Sequence, residues 1–353
     1  MPMPVPRLAA LCLVLALAPA HARPPLPAPL EVAERYVSAA DPRDELDSLA
    51  TWTAPDGRTW LIVTGKSSHR LVVYDADTGE RLREVGEEGA EPGRFRRPNG
   101  IAVDGDRLFV VERDNRRVQV LKLPQFRPLG TFGAELRSPY GIWLDATEPG
   151  ELTAYVTDSF MYGERYDRVP PAAEMDQRVR RYRVRFDPDD TLHARYAGSF
   201  GETGEHALRI VESIAGDPAH DRLLIADEYR PASTLREYRF DGRATGRSLP
   251  PDSFAAEAEG VVLWRCGEGG YWITVDQLAP RTHFHLFERA TLAPVASFAG
   301  RIASQTDGIA LHAAPTRAFP HGALFAVHED ESVAAFDLGE VARALKLDPA
   351  CAR

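Results

Sequence analysis

Short runs of β-branched and aliphatic residues, broken by Gly-, Asp- and Pro-rich turns, recur from about Trp52 to the end of the chain. Almost nothing between them repeats at 3.6 residues, so the pattern predicts strands and turns rather than amphipathic helices. The clearest stretch is NGIAVDGDRLFVVERDNRRVQVLKL from Asn99, closed by GTFG at Gly133. It holds four strand-like runs, separated by Asp-Gly-Asp, Arg-Asp-Asn-Arg and Pro-Gln-Phe-Arg-Pro. Segments of this kind start near Trp52 and at Asn99, Tyr140, Glu212, Glu259 and Asp307, with steps of 41, 72, 47 and 48 residues from Asn99 onward. Four short strands in a repeat of that length make a propeller blade. The fold expected is all-β, a six-bladed β-propeller.

Two irregularities refine this picture. After Asp307 the last repeat offers one strand too few before a short helix-like tail containing Ala342, Leu345 and Leu347. The stretch Leu30 to Val37 has no blade of its own, so it is expected to supply the missing strand and close the ring, which removes two open sheet edges. The 72-residue step carries an insertion, FMYGERYDRVPPAAEMDQ from Phe160, too long for a blade hairpin and a candidate functional loop.

The amino-terminal residues change the setting rather than the fold. Arg7, the apolar run Leu8 to Ala18 and the small-residue exit Ala20-His21-Ala22 have the layout of a cleaved secretory signal. Residues 1–22 are therefore set aside, and 23–353 are expected to form a single propeller domain in a periplasmic or secreted protein. The net charge is −10, and −11 once Arg7 leaves with the signal. Such a balance gives no electrostatic reason to seek nucleic acid or an anionic membrane. Cys12 leaves with the signal; Cys266 and Cys351 are free to pair in an oxidising compartment, or to remain apart. Their spacing excludes a CxxC motif.

One short phrase returns in the repeats: a distinctive residue, then Gly or Ser, then an aliphatic pair. It reads NGIAV at Asn99, YGIWL at Tyr140, ESIAG at Glu212, EGVVL at Glu259 and DGIAL at Asp307. Equivalent positions of repeats around an axis must converge, so Glu212, Glu259 and Asp307 meet at one channel mouth. Further acids end the second strands: Asp227 and Glu228, Asp276, and Glu329 with Asp330. Asp47, just before the first blade, is placed to reach the same rim. Oxygen-only donors from several strands suit Ca²⁺. Lys66, Arg113 and Arg116 stand at corresponding second-strand ends of the first two blades and would add cations for an anion. His283 and His285 share a strand face with no third ligand evident, and His328 ends a strand near the rim. There is no GxSxG, Walker or GxGxxG motif to support acyl-enzyme or nucleotide chemistry.

These residues resemble the β-propeller phytase family, six-bladed calcium-dependent phosphohydrolases. DSLATW (Asp47 to Trp52) is similar to that family's DDPAIW, and TGKSSHRLVVYD resembles its first-blade lysine strand. VESIAGDPAHDRLLIADE resembles its TEGM…LYIAEE unit, and SQTDGIALHAAPTRAFPHGALFAVHED its closing blade. The resemblance implies calcium ligands at Asp47, Glu212, Asp227, Glu228, Glu259 and Asp307. It implies phosphate-facing roles for Lys66, Arg116 and Tyr140, and water attack on a phosphate monoester without a covalent enzyme intermediate. The chain departs from the family at Ser48, where a second Asp is expected, and at Ser159, where a Lys is expected; NNVDIR is reduced to PNGIAV. The second blade is equally similar to an NHL repeat. The expectation is a monomeric, calcium-dependent phosphomonoester hydrolase with a small-molecule substrate and no nucleic-acid or membrane partner. A calcium-dependent lactonase or esterase using Asp307 as base, or a non-catalytic NHL-like binding propeller, are the alternatives.

Overall fold

The aliphatic runs become the middle strands of six sheets. Leu61 to Val63, Leu108 to Val111, Leu223 to Ala226 and Leu324 to Val327 are fully buried. They are apolar on both faces because each blade is sandwiched between two others. Outer strands such as Arg81–Val85 have one neighbour and read as polar. The computed structural model describes residues 26–352, so the expected signal segment 1–22 lies outside the described residues.

The sheets, here blades I to VI, form a closed ring, and the chain is a six-bladed β-propeller. Their inner strands are Leu46–Thr53, Pro98–Asp104, Pro139–Asp145, Val211–Asp217, Ala258–Cys266 and Ile309–His312. Each blade then runs outward through antiparallel neighbours. The cores lie between blades: Trp52 packs with Ile62 of blade I and with Leu108, Val110 and Leu121 of blade II. Burying each such side chain contributes roughly 1.5–3 kcal/mol. The inner strands surround a channel of about 530 Å³ walled by residues such as Ala50, Val103, Ile142, Ala215 and Val262.

Closure uses both ends of the chain. Blade VI has three strands of its own, and Tyr36–Val37 adds the fourth, antiparallel to Ser332–Asp337. The expected closing strand is in fact divided, because Leu30–Glu31 pairs in parallel with Pro294–Ala299 of blade V. Between the two pieces Val32 is buried, and Glu34 reaches the loop that joins the blades. The Glu34 carboxylate accepts the backbone N–H groups of Arg301, Ile302 and Ala303 at 3.0, 2.9 and 2.8 Å. Burial alone would raise its pKa; the backbone donors outweigh this and hold it below the ordinary value. Gly300 leaves the space required, since a Cβ there would lie 2.0 Å from Glu34 Oε1. The tail forms the helix Leu338–Leu345, capped by Asp337, whose carboxylate accepts the N–H of Glu340 at 2.9 Å. Cys351 then pairs with Cys266 across a Cα separation of 4.8 Å, the pairing the sequence left open.

Candidate metal centre

Five of the inner strands begin with a shift of register: between Leu46 and Leu49, Pro98 and Ile101, Pro139 and Ile142, Val211 and Ile214, and Ala258 and Val261. The two residues inside each bulge are the recurring phrase: Asp47-Ser48, Asn99-Gly100, Tyr140-Gly141, Glu212-Ser213 and Glu259-Gly260. Asp307-Gly308 takes the same place before the sixth. The small second residue is required by the next blade. A Cβ at Gly308 would lie 2.3 Å from the carbonyl oxygen of Asp47, and one at Gly141 2.4 Å from that of Glu212. Gly308 N–H donates to Asp47 O at 3.1 Å and Gly260 N–H to Asp307 O at 3.0 Å. The backbone thus stitches adjacent inner strands, and the first residue of each phrase is carried to the mouth.

There the carboxylates converge. Oxygens of Glu212, Glu228 and Glu259 lie within 4.8 Å of one another. On the other side, Lys66 Nζ donates to Asp307 Oδ2 at 3.0 Å and lies 3.2 Å from Asp47 Oδ1. Gln277 donates its amide to the other Asp307 oxygen, and Ser48 Oγ donates to Asp47 Oδ2 at 3.0 Å. Lys66 thus serves Asp47, Asp307 and, at 3.7 Å, Glu45, while Glu212, Glu228 and Glu259 have no cation within ion-pair distance among the described residues. Burial, then repulsion from Asp47 and Asp307, pushes Glu212 up to about 8. Asp307 is pushed up to about 7 by burial, despite Lys66. Glu228 and Glu259 are raised well above the glutamate value by burial and by the neighbouring acids. Burial opposes the charge on Lys66, but Asp47 and Asp307 more than offset it and raise its pKa. Tyr140 is held protonated by burial and by Glu212, Asp47 and Asp307. Glu228 Oε1 and both amide atoms of Asn99 are buried without hydrogen-bond partners. Oxygen donors in excess of positive charge, with orphaned atoms among them, fit a hard divalent cation such as Ca²⁺.

Beside this ring opens a cavity of about 800 Å³, lined by Arg113, Arg116, Arg137, Tyr140, Ser159 and Glu212, with Phe160, Met161 and Tyr166 from the blade III insertion. The insertion is anchored by Arg178, which is fully buried and donates to the carbonyls of Phe160 and Arg209 at 2.7 and 2.6 Å. Arg137 stacks 3.8 Å over Phe160 and pairs with Glu174. The Arg116 guanidinium has no ion-pair or hydrogen-bond partner among the described residues; only its backbone N–H is bonded, to Arg113 O at 3.3 Å. Of the three residues expected to face a phosphate, Arg116 and Tyr140 line this cavity. Lys66 does not; it sits among the carboxylates.

Asp227 is not brought together with the other expected calcium ligands. Its carboxylate accepts the N–H groups of Arg209 and Ile210 at 3.1 and 3.0 Å and pairs with Arg236 at 2.9 Å, away from the ring. Successive residues of a strand point to opposite sides, so only Glu228 of this pair turns to the mouth. The same lock recurs in other blades. Glu112 accepts Arg96 N–H and pairs with Arg117; Asp158 accepts Ser138 N–H and pairs with Arg180; Asp276 accepts the N–H groups of Ala255 and Ala256. Each acid ends a second strand and ties down the loop that leads into its own blade's inner strand. His328 holds the corresponding place in blade VI, where its Nδ1 accepts the N–H of Ser304 at 3.2 Å. Gln277 and Asn99 are ring members that sequence reasoning passed over; their position directly after a lock acid and at the head of an NGIAV phrase was the available signal.

A profile of the NHL repeat matches residues 95–121, which cover the approach to blade II and most of its first three strands. No curated protein matches the chain. No helix among the described residues is long and apolar enough to cross a membrane.

Proposed function

We propose that the chain is a calcium-dependent hydrolase of phosphate monoesters, working at the mouth of the propeller channel. The observation that carries this reading is the convergence of five carboxylates and one lysine beside a cavity that presents Arg113, Arg116 and the Tyr140 hydroxyl. A calcium ion held by Asp47, Glu212, Glu228, Glu259 and Asp307 would supply positive charge opposite a phosphate and lower the pKa of a water.

The chain's own side chains do the rest. Arg116 offers a planar fork of donors to phosphoryl oxygens. Tyr140, held protonated by its surroundings, donates a hydrogen bond to an anion rather than repelling it. Lys66 holds the Asp47 and Asp307 carboxylates in place. Ser159 lines the cavity where the phytase resemblance expects a lysine, so the anion is held by fewer cations than in that pattern. Neutral lactones need no cationic clamp, which disfavours the lactonase alternative. The NHL match over blade II is the one observation that favours a non-catalytic binding propeller.

Phosphate release from phytate and a panel of phosphomonoesters, with calcium and with chelator, tests the proposal. Arg116→Ala is expected to lower kcat/KM by about 10- to 100-fold through loss of a charge-assisted contact, with calcium-induced stabilisation unchanged. Asp307→Asn is expected to lose both activity and the calcium response. A folded, calcium-responsive wild type that releases no phosphate from any member of the panel would refute it.

A further inference from the structure

Blade V departs from the lock described above. In blades III and IV the lock acid is met by an arginine placed opposite the residue two positions before the acid: Arg180 opposite Val156, and Arg236 opposite Ile225. In blade II that register position is Gln119, opposite Val110, which also donates to the lock acid. In blade V it is His285, opposite Thr274, and His283 stands directly opposite the acid Asp276. Ligand atoms of Asp276, His283 and His285 all lie within 4.8 Å of one another.

His285 does not complete the lock as the arginines do. Its Nε2 lies 3.7 Å from Asp276 Oδ2, beyond hydrogen-bond range. That nitrogen is buried and has no partner, and the whole residue is only 4% exposed. Leaving a buried polar atom unpaired is destabilising, a cost that a purely structural histidine has no reason to bear. Its other nitrogen, Nδ1, meets Ser297 Oγ at 2.8 Å, and Ser297 is itself buried. In the tautomer where Nδ1 donates to this hydroxyl, the Nε2 lone pair is left free, the arrangement by which an outer partner orients a metal-binding imidazole. Phe254 packs edge-on against the ring and holds its plane. His283 is half-buried and its ring has no hydrogen-bond partner among the described residues, so it gives the group an opening to solvent.

We infer that Asp276, His283 and His285 form a second metal site, separate from the carboxylate ring and selective for a zinc-class divalent transition ion. Two imidazole nitrogens and one carboxylate leave a fourth position of a tetrahedron for water. The same nitrogens disfavour calcium, which takes oxygen ligands. Binding requires the three ligand atoms to draw together modestly from their present separations. The site has a structural consequence: Asp276 holds the N–H groups of Ala255 and Ala256, on the loop that enters the strand bearing Glu259. An ion there would fasten that loop as Arg180 and Arg236 fasten theirs.

The test uses full-length protein stripped with chelator and titrated with Zn²⁺ by calorimetry and with Co²⁺ by visible absorption. Wild type is expected to take up one ion with a cobalt spectrum characteristic of nitrogen ligation. His285→Arg installs the residue that blades III and IV use, so it is expected to fold and to bind zinc about 100-fold more weakly or not at all. His283→Gln, at a half-buried position, is expected to lose the site as well, and decides the matter alone if His285→Arg fails to fold. Asp307→Asn, which alters the carboxylate ring, is expected to retain it. Zinc binding that survives both histidine substitutions, or that disappears in Asp307→Asn alone, would overturn the inference. None of these readouts depends on hydrolytic activity.

Discussion

Glu212→Gln gives the most direct measure of the repulsion stored at the channel mouth. Glu212 is carried there by the bulge of blade IV, against Glu228 and Glu259. Burial and the charges of Asp47 and Asp307 raise its pKa from 4.5 to about 8. For an acid shifted upward, the native state holds its proton after the unfolded chain has released it. Stability is then undiminished below pH 4.5, falls as pH rises toward 8, and levels off above that. The full shift converts to on the order of 4–5 kcal/mol, and solvent screening of a half-buried side chain reduces it to about 2–4 kcal/mol. In the absence of calcium, Glu212→Gln is therefore expected to be more stable than wild type at pH 8 by this amount. A chain of this size would show it as a rise in Tm of about 3–6 °C. At pH 4 the two proteins should melt together. With saturating calcium the order reverses, because wild type gains ligation free energy that the amide cannot match. The assay is thermal or urea unfolding of both proteins at pH 4, 6 and 8, in chelator and in calcium. Taking the difference between the two proteins removes every titrating group that does not interact with Glu212. If the difference does not vary with pH in chelator, the carboxylates are not in mutual repulsion and the reasoning for a cation fails.

Adjacent acids should behave oppositely. Asp227→Ala strands Arg236 and the backbone N–H groups of Arg209, Ile210 and Tyr229 and should destabilise by about 3–5 kcal/mol, with any remaining folded protein still responsive to calcium. Glu228→Gln should leave metal-free stability equal or higher and abolish the calcium response; the reverse pattern on calcium titration of the two variants would show that the wrong acid was assigned to the ring. Glu34→Gln should cost about 1–2 kcal/mol at pH 7. Because the folded pKa of Glu34 is depressed, that cost should fade as pH falls below 4.5 in urea melts at a series of pH values. Cys351→Ser opens the link to Cys266 and should lower stability by about 2–4 kcal/mol relative to the oxidised wild type, matching the stability of the reduced wild type.

The ring positions were legible because the fold imposes the same steric demand in every blade. A bulge residue followed by Gly or Ser is forced wherever the next strand's carbonyl approaches closely, and that demand leaves the repeated phrase in the sequence. The tilt of neighbouring acids was not legible. Asp227 and Glu228 are equally acidic and adjacent, and only strand alternation around a known bulge separates the lock from the ring. Lys66 was visible as a cation at the rim, but its burial between Asp47 and Asp307 depends on blades I and VI meeting, a contact between residues 241 positions apart. Asp276 was hidden as a partner for His283 and His285 because it lies across a hairpin and resembles every other turn acid. The divided closing strand was half legible: the strand deficit of blade VI is a property of pattern, whereas the parallel pairing of Leu30–Glu31 with blade V follows from the reach of Glu34.

The amino-terminal closure also sets the order in which the molecule can be made. Tyr36 pairs with Ala335, so a segment synthesised early must wait for one that emerges after all the other blades. Each hairpin along the way is local and can form as it emerges, but none of them completes the ring. Until blade VI exists, blade I and blade V each present an apolar flank with nothing opposite it, and segment 30–37 has no sheet to join. The entropy of that final joining grows only slowly with the intervening length, so the ring is not expensive to close once its partners exist. Its vulnerability is temporal. A ribosome stalled within blade V releases five nearly finished sheets that expose sticky flanks, and such a fragment is expected to aggregate rather than shrink into a smaller ring.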